Sequence, residues 1–283
     1  MHLSIGPHTH RLIDAALDED CASVDPSATL FPEGHASEAR LVAKQPMTVA
    51  GQELVGAVFE RVDRHIRYEP LVADGSSVEE TTLIGTVAGP TASLLRGERT
   101  ALNFLQRMSG IATKTKTFVD ALGDPTTRLT DTRKTLPGWR ALDKYAVRCG
   151  GGHNHRHNLA GGIIIKDNHI EAAGSIAEAV ERCRQHAPHT LKVEVEVEAH
   201  SQLLEALDAG ADIVMLDNMS TDEMRQAVAT VRQQAGDDVL IEASGNVTVE
   251  RLPELAGLGL DFISSGALTH SVEAADISMA FQE

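Results

Sequence analysis

The sequence predicts an α/β protein in which an open or incomplete βα barrel follows a smaller domain. Two observations in the second half of the chain lead to this prediction. Short β-rich runs alternate there with helix-like segments at a spacing of about 20 to 30 residues, the span of a βα unit. Polar residues also follow nearly every one of these runs, as expected where strand ends meet at one rim of a barrel.

The β-rich runs begin at Arg128 and are fewer than a complete barrel needs, which is why an open barrel is predicted. They cover 128–132, 162–166, 191–197, 212–216, 239–243 and 261–264. Helix-like segments lie between the later runs, at 175–186, 200–209, 221–234 and 248–258. A doubly wound sheet would show the same alternation. The polar residues at the strand ends favour the barrel.

A small α+β domain is predicted before the barrel. Apolar residues at helical spacing indicate helices at 8–21 and 52–62, and β-rich runs indicate strands at 39–43, 67–72 and 82–88. Asp74-Gly75 is the predicted turn between the last two strands. A long amphipathic helix over 98–122 is predicted to join the domains, with Arg99 in its first turn. The predicted domains are 1–112 and 113–283, with the C-terminal tail returning to the first.

The composition restricts the possible functions. The chain has 283 residues and a formal net charge of −16, so a broad basic surface for nucleic acid is not expected. No apolar run approaches the ~20 residues that span a bilayer, and no signal peptide opens the chain. We therefore expect a cytoplasmic protein without a membrane partner. Cys21, Cys149 and Cys183 are widely spaced, which fits reduced thiols better than disulfides or a zinc site.

The window from Arg128 to Ile170 concentrates positive charge in this acidic protein. Its cations are Arg128, Arg133, Lys134, Arg140, Lys144, Arg148, Arg156 and Lys166. Such clusters are often only solvated surface. Here the charges lie beside glycines and at the ends of apolar runs, which favours a site for a small polyanion.

Two tripeptides have the composition of phosphate-binding loops. Ser244-Gly245-Asn246 and Ser265-Gly266-Ala267 each follow a predicted strand and precede a helical pattern. Small residues let backbone N–H groups approach a phosphate, and phosphate sites are common after the late strands of such barrels. Either tripeptide alone could be an ordinary turn.

Two acidic residues end predicted strands. Glu196 lies near the end of the run LKVEVEVE, and Asp217 closes IVMLD. Alternation places Glu194, Glu196 and Glu198 on one face, which is either the barrel interior or a solvated surface. Two carboxylates on one rim suit sugar hydroxyls and Mg²⁺, bound directly or through water.

Motifs along most of the chain carry a family resemblance. In order they are GERTALNFLQRMSGIAT, TDTRKTLPGWRALDKYAVRCGGGHNHR, KDNHI, LKVEVEVE, DIVMLDNM, IEASGNV and ISSGALTHS, from about Gly97 to Ser271. Together they resemble quinolinate phosphoribosyltransferase, the decarboxylating nicotinate-nucleotide pyrophosphorylase. The chain departs from the usual family pattern at 157–162.

The resemblance implies a fold and a reaction. The first domain would be an α/β sandwich and the second an open barrel. The enzyme, a pentosyltransferase of NAD biosynthesis, would transfer phosphoribosyl from phosphoribosyl pyrophosphate to quinolinate. Decarboxylation would then give nicotinate mononucleotide, pyrophosphate and CO₂, with Mg²⁺ as the cofactor. The family's active sites are shared between subunits of a homodimer or larger homo-oligomer, and Arg99 would enter the neighbouring site.

Site residues follow from the chemistry and the resemblance together. Arginine forks match carboxylates in bidentate fashion. The predicted quinolinate ligands are Arg99, Arg133 and Arg156, with Thr132 and His155 beside them. Lys134 and Lys166 would contact quinolinate or pyrophosphate. Glu196 and Asp217 would hold ribose and Mg²⁺, and these two acids with the two lysines form the predicted catalytic set. Ser244, Gly245, Asn246, Ser265, Gly266 and Ala267 would bind the 5-phosphate.

Three other functions remain open from the sequence alone. A related phosphoribosyltransferase could act on nicotinate, which would release no CO₂. A barrel aldolase could use Lys166 as a Schiff base, which borohydride would trap. A non-catalytic sugar-phosphate binding protein would bind its ligand without turnover.

Overall fold

The computed structural model describes residues 3–20, 24–32 and 34–281. Cys21, where the first predicted helix was expected to end, lies outside these residues. The described chain divides into two compact units. The first comprises Met1–Lys116, Leu136–Gly151 and Ser271–Glu283, and the second comprises Thr117–Thr135 and Gly152–His270.

The helices and strands are numbered in chain order. The helices are α1 (Pro7–Glu19), α2 (Gln52–Val62), α3 (Thr91–Leu122), α4 (Arg140–Cys149), α5 (Asp167–Ala173), α6 (Ile176–His186), α7 (His200–Asp208), α8 (Thr221–Ala235), α9 (Leu252–Leu255) and α10 (Ala267–His270). The strands are β1 (Ala36–Ala43), β2 (Met47–Thr48), β3 (Arg67–Pro70), β4 (Ser77–Val78), β5 (Leu83–Pro90), β6 (Arg128–Thr130), β7 (Ile163–Ile165), β8 (Val193–Val197), β9 (Ile213–Asp217), β10 (Leu240–Ser244), β11 (Phe262–Ser264) and β12 (Ile277–Phe281). Short 3₁₀ turns cover Pro26–Leu30 and Leu159–Gly161. Among the described residues, none of the helices combines the length and apolar character that a bilayer crossing demands.

The first unit is built on a four-stranded antiparallel sheet in the order β12-β1-β5-β3. The C-terminal strand β12 pairs along β1, from Ala39 opposite Phe281 to Ala43 opposite Ile277. Helix α2 begins and ends where the apolar spacing predicts, and its predicted face is buried. This face consists of Leu54, Val55, Val58 and Phe59.

The second unit is a six-stranded parallel sheet in the order β6-β11-β10-β9-β8-β7. Strands β6 and β7 follow one another in sequence but lie at opposite ends of this order, so the predicted open barrel is confirmed. Alternate residues of β8, from Val193 to Val197, are buried apolar side chains. Glu194 and Glu196 alternate with them and therefore occupy the other face of the sheet.

Helices α3, α4 and α9 differ most from the sequence-based expectations. Helix α3 begins at Thr91 rather than near Glu98, so Arg99 lies about two turns inside it and not in its first turn. A Cβ at Gly97, within this helix, would lie 2.9 Å from a ring carbon of Phe59, so the packing there requires glycine. The helix predicted over 248–258 shrinks to Leu252–Leu255, where proline occupies the first turn. Helix α4 was not predicted, because polar residues interrupt its buried apolar face.

The described cysteines carry free thiols. Cys149 and Cys183 are both part-buried and unbridged. Burial raises the pKa of Cys149 to about 12, and the charge of Asp74 adds to the rise. Because the thiolate is the reactive form, Cys149 is a poor nucleophile at neutral pH.

Candidate active site at the carboxyl ends of the parallel strands

The predicted ligands Thr132, Arg133 and Lys134 form the loop after β6. The Thr132 hydroxyl accepts the backbone N–H of Lys134 at 3.0 Å, which shapes the turn. Thr269 of α10 donates its hydroxyl to the Lys134 carbonyl at 2.8 Å and ties this loop to the last βα unit. The side chains of Arg133 and Lys134 are exposed, so an anion in solution can reach them.

His155 and Arg156 lie on a segment that runs beside β6. The backbone N–H of His153 donates to Leu129 at 2.8 Å, and the N–H of Asp131 donates back to His153 at 3.1 Å. Burial lowers the pKa of Arg156, and the nearby charge of Arg133 lowers it further. Two of the three predicted quinolinate arginines, Arg133 and Arg156, are therefore near enough for their positive charges to repel each other.

Lys166, Glu196 and Asp217 follow one another around the sheet. Lys166 stands at the N-terminus of α5, directly after β7, and its ammonium forms an ion pair with the carboxylate of Glu196. Glu196 pairs in register with Met215 of β9, so Asp217 lies one step further along the same face of the neighbouring strand. These three predicted residues are brought together at one edge.

Asp217 is only part-exposed, and Asn218 donates to it at 2.7 Å. Carboxylate oxygens are the ligands that Mg²⁺ prefers, and part-exposed ones leave room for its waters. The chemistry of Glu196 and Asp217 therefore fits a magnesium ion.

The loop after β10 has an unusual backbone. Gly245, Asn246 and the facing Asn218 all have left-handed φ angles, of 85°, 50° and 54°. The Asn246 amide donates to the side chain of Asn218 at 3.3 Å. A Cβ at Gly245 would overlap the Asn218 side chain, so the two loops fit only with glycine there.

The loop after β11 approaches the loop after β6. The N–H of Ser265 donates to the carbonyl of Thr130 at 3.0 Å. A Cβ at Gly266 would lie 2.7 Å from the Lys134 side chain, so glycine lets that lysine pass close to the backbone. The two predicted phosphate loops thus lie at adjacent strand ends, and the second is in contact with a predicted catalytic lysine.

Two buried carboxylates lie deeper in the second unit. Glu194 of β8 and Glu242 of β10 are each 3% exposed. The imidazole Nε2 of His155 lies 3.6 Å from a carboxylate oxygen of Glu194 and 3.4 Å from one of Glu242. Burial lowers the pKa of His155, but hydrogen bonds and charge from the two glutamates outweigh it and raise this pKa to about 10. Burial raises the pKa of Glu194, and the charge of Glu242 adds to that rise.

The remaining predicted ligand, Arg99, belongs to the first unit. It is exposed on α3 and lines a cavity of about 390 Å³. Aromatic side chains of Phe104 and Trp139 stack on the wall of this cavity, with ring centroids 4.8 Å apart. The assignment of Arg99 to quinolinate binding stays a prediction.

Sequence reasoning missed three residues that support the site. They are Asp131, Asn218 and Glu242. Asn218 carries no signal in the sequence beyond its position after the predicted strand. Glu242 could have been found, because it precedes Ser244 by two residues and therefore shares its face of the strand. Asp131 could not, since its partners are set by the path of a loop.

The second unit therefore gathers complementary charges at one edge. The loop after β6 supplies Arg133 and Lys134, the ends of β7 to β9 supply Lys166, Glu196 and Asp217, and the two small-residue loops follow β10 and β11. Such an edge can bind a phosphate, a sugar and a ring bearing carboxylates next to each other.

Comparisons with known proteins agree with this arrangement. The family models for the N-terminal and C-terminal domains of quinolinate phosphoribosyl transferase match residues 25–109 and 111–280. A probable nicotinate-nucleotide pyrophosphorylase [carboxylating] of Bacillus subtilis is 44% identical over 95% of this chain and 92% of its own. The human nicotinate-nucleotide pyrophosphorylase [carboxylating] is 39% identical over 95% of this chain and 90% of its own.

A solved structure gives the same result for the fold. The crystal structure of NadC from Streptococcus pyogenes superposes with a TM-score of 0.94 at 39% identity and covers 100% of both chains. Sequence, site chemistry and fold thus agree, and the chain belongs to the quinolinate phosphoribosyltransferase family.

Proposed function

We propose that this protein transfers the phosphoribosyl group of phosphoribosyl pyrophosphate to quinolinate, with loss of CO₂. The products are nicotinate mononucleotide, pyrophosphate and CO₂, a step of NAD biosynthesis. The observation that carries the proposal is the meeting of Arg133, Lys134, Arg156 and Lys166 with Glu196 and Asp217 at one sheet edge. Family membership supports the same reaction.

Quinolinate carries two adjacent carboxylates on a pyridine ring. In our proposal the neighbouring guanidinium groups of Arg133 and Arg156 bind them, and the ligand's negative charge relieves the repulsion between the two arginines. Charge-assisted hydrogen bonds of this kind contribute about 1.5–3 kcal/mol each. Binding both carboxylates also fixes the direction of the ring nitrogen.

The loops Ser244–Asn246 and Ser265–Ala267 hold the 5-phosphate of the second substrate. The backbone N–H groups of Gly245, Asn246, Gly266 and Ala267 can approach the phosphate because Gly245 and Gly266 carry no side chain. Lys134, which passes over Gly266, and Lys166 offer compact positive charges to the pyrophosphate. Glu196 and Asp217 accept hydrogen bonds from the ribose hydroxyls.

The transfer needs no side-chain nucleophile. The lone pair of the ring nitrogen forms a bond to ribose C1 as the bond from C1 to the pyrophosphate oxygen breaks. The lysines stabilise the charge that develops on the departing pyrophosphate. The ring nitrogen, now cationic, accepts electron density while the adjacent carboxylate leaves as CO₂. A proton from solvent then replaces the carboxylate on the ring carbon.

We further propose that Mg²⁺ is the cofactor, held by Glu196 and Asp217 directly or through water. When bound, it would neutralise charge on the pyrophosphate. We also propose a homodimer, or a larger homo-oligomer, with shared active sites to which Arg99 contributes. A cytoplasmic location stays a prediction.

The direct test is product formation. Purified protein is incubated with quinolinate, phosphoribosyl pyrophosphate and Mg²⁺, and nicotinate mononucleotide is measured by chromatography. A parallel reaction replaces quinolinate with nicotinate. Product from quinolinate but not from nicotinate supports the proposal. Product from nicotinate alone would assign the chain to a different phosphoribosyl transfer.

A further inference from the structure

The burial of Glu194 and Glu242 is unfavourable for the stability of the second unit. Both are 3% exposed, and in each, among the described residues, the second carboxylate oxygen Oε1 is buried without a hydrogen-bond partner. Burying a carboxylate away from water is strongly unfavourable unless it is paired. Apolar side chains would fill the same space at lower cost, so the two acids call for a functional explanation.

His155 is the residue that both acids face. Its Nε2 lies 3.6 Å from Glu194 and 3.4 Å from Glu242, although these glutamates come from different strands. Its backbone N–H donates to Asp131 at 2.9 Å. Its Nδ1 accepts the backbone N–H of Arg156 at 2.7 Å. Ring and backbone of His155 are thus fixed from several directions at once.

The same three side chains have the composition of a metal site. The ligand atoms of His155, Glu194 and Glu242 lie within 4.8 Å of one another. The contact at Nδ1 argues against a metal. A ring nitrogen that accepts a hydrogen bond carries no proton, so the proton of a neutral imidazole is on Nε2, and a protonated nitrogen cannot bind a metal.

The charge state of the ring does not change this conclusion. The glutamates favour the imidazolium, whereas the contact of Nδ1 with the Arg156 N–H favours the neutral ring. In both forms Nε2 carries a proton that faces the two carboxylates. The cluster is therefore an electrostatic clamp on His155, in which both carboxylates face the proton on Nε2.

We propose that Glu194 and Glu242 are positioning residues for quinolinate recognition, which act by holding His155 and, through it, Arg156. The ring of His155 accepts a hydrogen bond from the backbone N–H of Arg156. A tilt of the ring would therefore displace the Arg156 backbone, and the guanidinium group would move with it. Arg156 is further fixed by a hydrogen bond from its Nη1 to the Gly162 carbonyl at 2.7 Å. The proposal rests on the proposed function, because it assigns Arg156 to a quinolinate carboxylate.

The test is steady-state kinetics on Glu194→Gln and Glu242→Gln. Each change keeps the size of the side chain and removes its charge. We expect KM for quinolinate to rise about tenfold or more, while KM for phosphoribosyl pyrophosphate changes less than about twofold. The matched control is Glu205→Gln, because Glu205 is a part-buried acid of the same unit that accepts the backbone N–H of Ile176. The control should leave both KM values unchanged.

A double-mutant cycle separates positioning from general damage. In a His155→Ala background, the effect of Glu242→Gln on quinolinate KM should largely vanish, because the residue through which it acts is gone. A full, additive effect in that background would overturn the proposal. So would an unchanged quinolinate KM in both single variants with native melting temperatures. If the wild type contained one equivalent of a divalent metal that Glu242→Gln lacked, the cluster would be a metal site and not a clamp on His155.

A second readout does not depend on activity. Nitrogen-15 NMR of the His155 ring, assigned with His155→Ala, should show a protonated Nε2 in the wild type whose proton exchanges slowly with water. In the Glu194→Gln/Glu242→Gln double variant this exchange should become fast. If the wild type made no mononucleotide, the proposed function would fail, and the NMR result would still decide whether the clamp exists. An unprotonated Nε2 in the wild type would refute the clamp itself.

Discussion

Asp131 holds the backbone of His155: its Oδ1 accepts the His155 N–H at 2.9 Å, and its Oδ2 accepts the side-chain amide of Asn154 at 2.7 Å. Asp131 is fully buried and directly follows β6. It therefore links the loop that carries Arg133 and Lys134 to the segment that carries Arg156. A carboxylate is suited to this place because it accepts at both oxygens.

Asp131→Asn should therefore damage both folding and quinolinate binding. An amide presents a donor on one side, so one of the two donors that Asp131 binds loses its acceptor. We expect a loss of about 1–3 kcal/mol in the free energy of unfolding, measured by urea denaturation. KM for quinolinate should rise. The control is Asp212→Asn, because Asp212 accepts the Val193 N–H at the opposite end of the sheet. A quinolinate KM equal in the two variants would contradict this role of Asp131.

Arg133→Ala or Arg156→Ala should weaken quinolinate binding by about 2–5 kcal/mol, because a buried carboxylate of the ligand loses its partner. Binding is measured by isothermal titration calorimetry and folding by thermal melting. Arg182→Ala is the control, since Arg182 lies in an exposed ion pair with Glu178 on α6, away from the strand ends. Arg156→Lys tests whether the bidentate fork matters. An unaltered Kd in both alanine variants would remove these arginines from the site.

Asp217→Asn and Glu196→Gln should raise the concentrations of Mg²⁺ and phosphoribosyl pyrophosphate needed for half-maximal activity. The concentration of quinolinate needed should rise far less. The reason is that a neutral amide binds Mg²⁺ less well than a carboxylate does. Each ligand is titrated separately at saturating concentrations of the other two. An equal loss for all three ligands would indicate general destabilisation rather than a specific role.

Mixing two inactive variants tests whether active sites are shared between subunits. Arg99→Ala and Lys134→Ala should each be nearly inactive. If Arg99 enters the neighbouring site, a mixed dimer contains one site with both defects and one with neither. Co-refolding the variants at equal concentration should then restore a substantial fraction of activity. If Arg99 serves its own chain, every site carries a defect, and activity would stay at the level of the pure variants.

The sequence predicts the second unit well because its signals are local. Strand-end positions predict that Glu196 and Asp217 lie near one edge of the sheet, and the boundaries of β8 to β10 shift by at most two residues. The small-residue loops also lie where strand ends predict. The chemical roles of these residues stay predictions.

What the sequence does not show are relationships that depend on packing. Gly97, just before the predicted start of the long helix, lies inside α3, where Phe59 packs against it. Helix α4 is not predicted from the sequence, because polar residues interrupt its apolar spacing. The clamp on His155 joins residues from β8, β10 and a loop, and only the folded sheet brings them together.

In the proposed reaction, phosphoribosyl transfer and decarboxylation occur on the same pyridine ring. The most direct measurement uses quinolinate labelled with carbon-13 in the carboxyl group adjacent to the ring nitrogen. We predict that labelled CO₂, pyrophosphate and nicotinate mononucleotide form in equal amounts, and only when phosphoribosyl pyrophosphate is present. A mononucleotide that retains both carboxylates, or labelled CO₂ released without phosphoribosyl pyrophosphate, would contradict the claim.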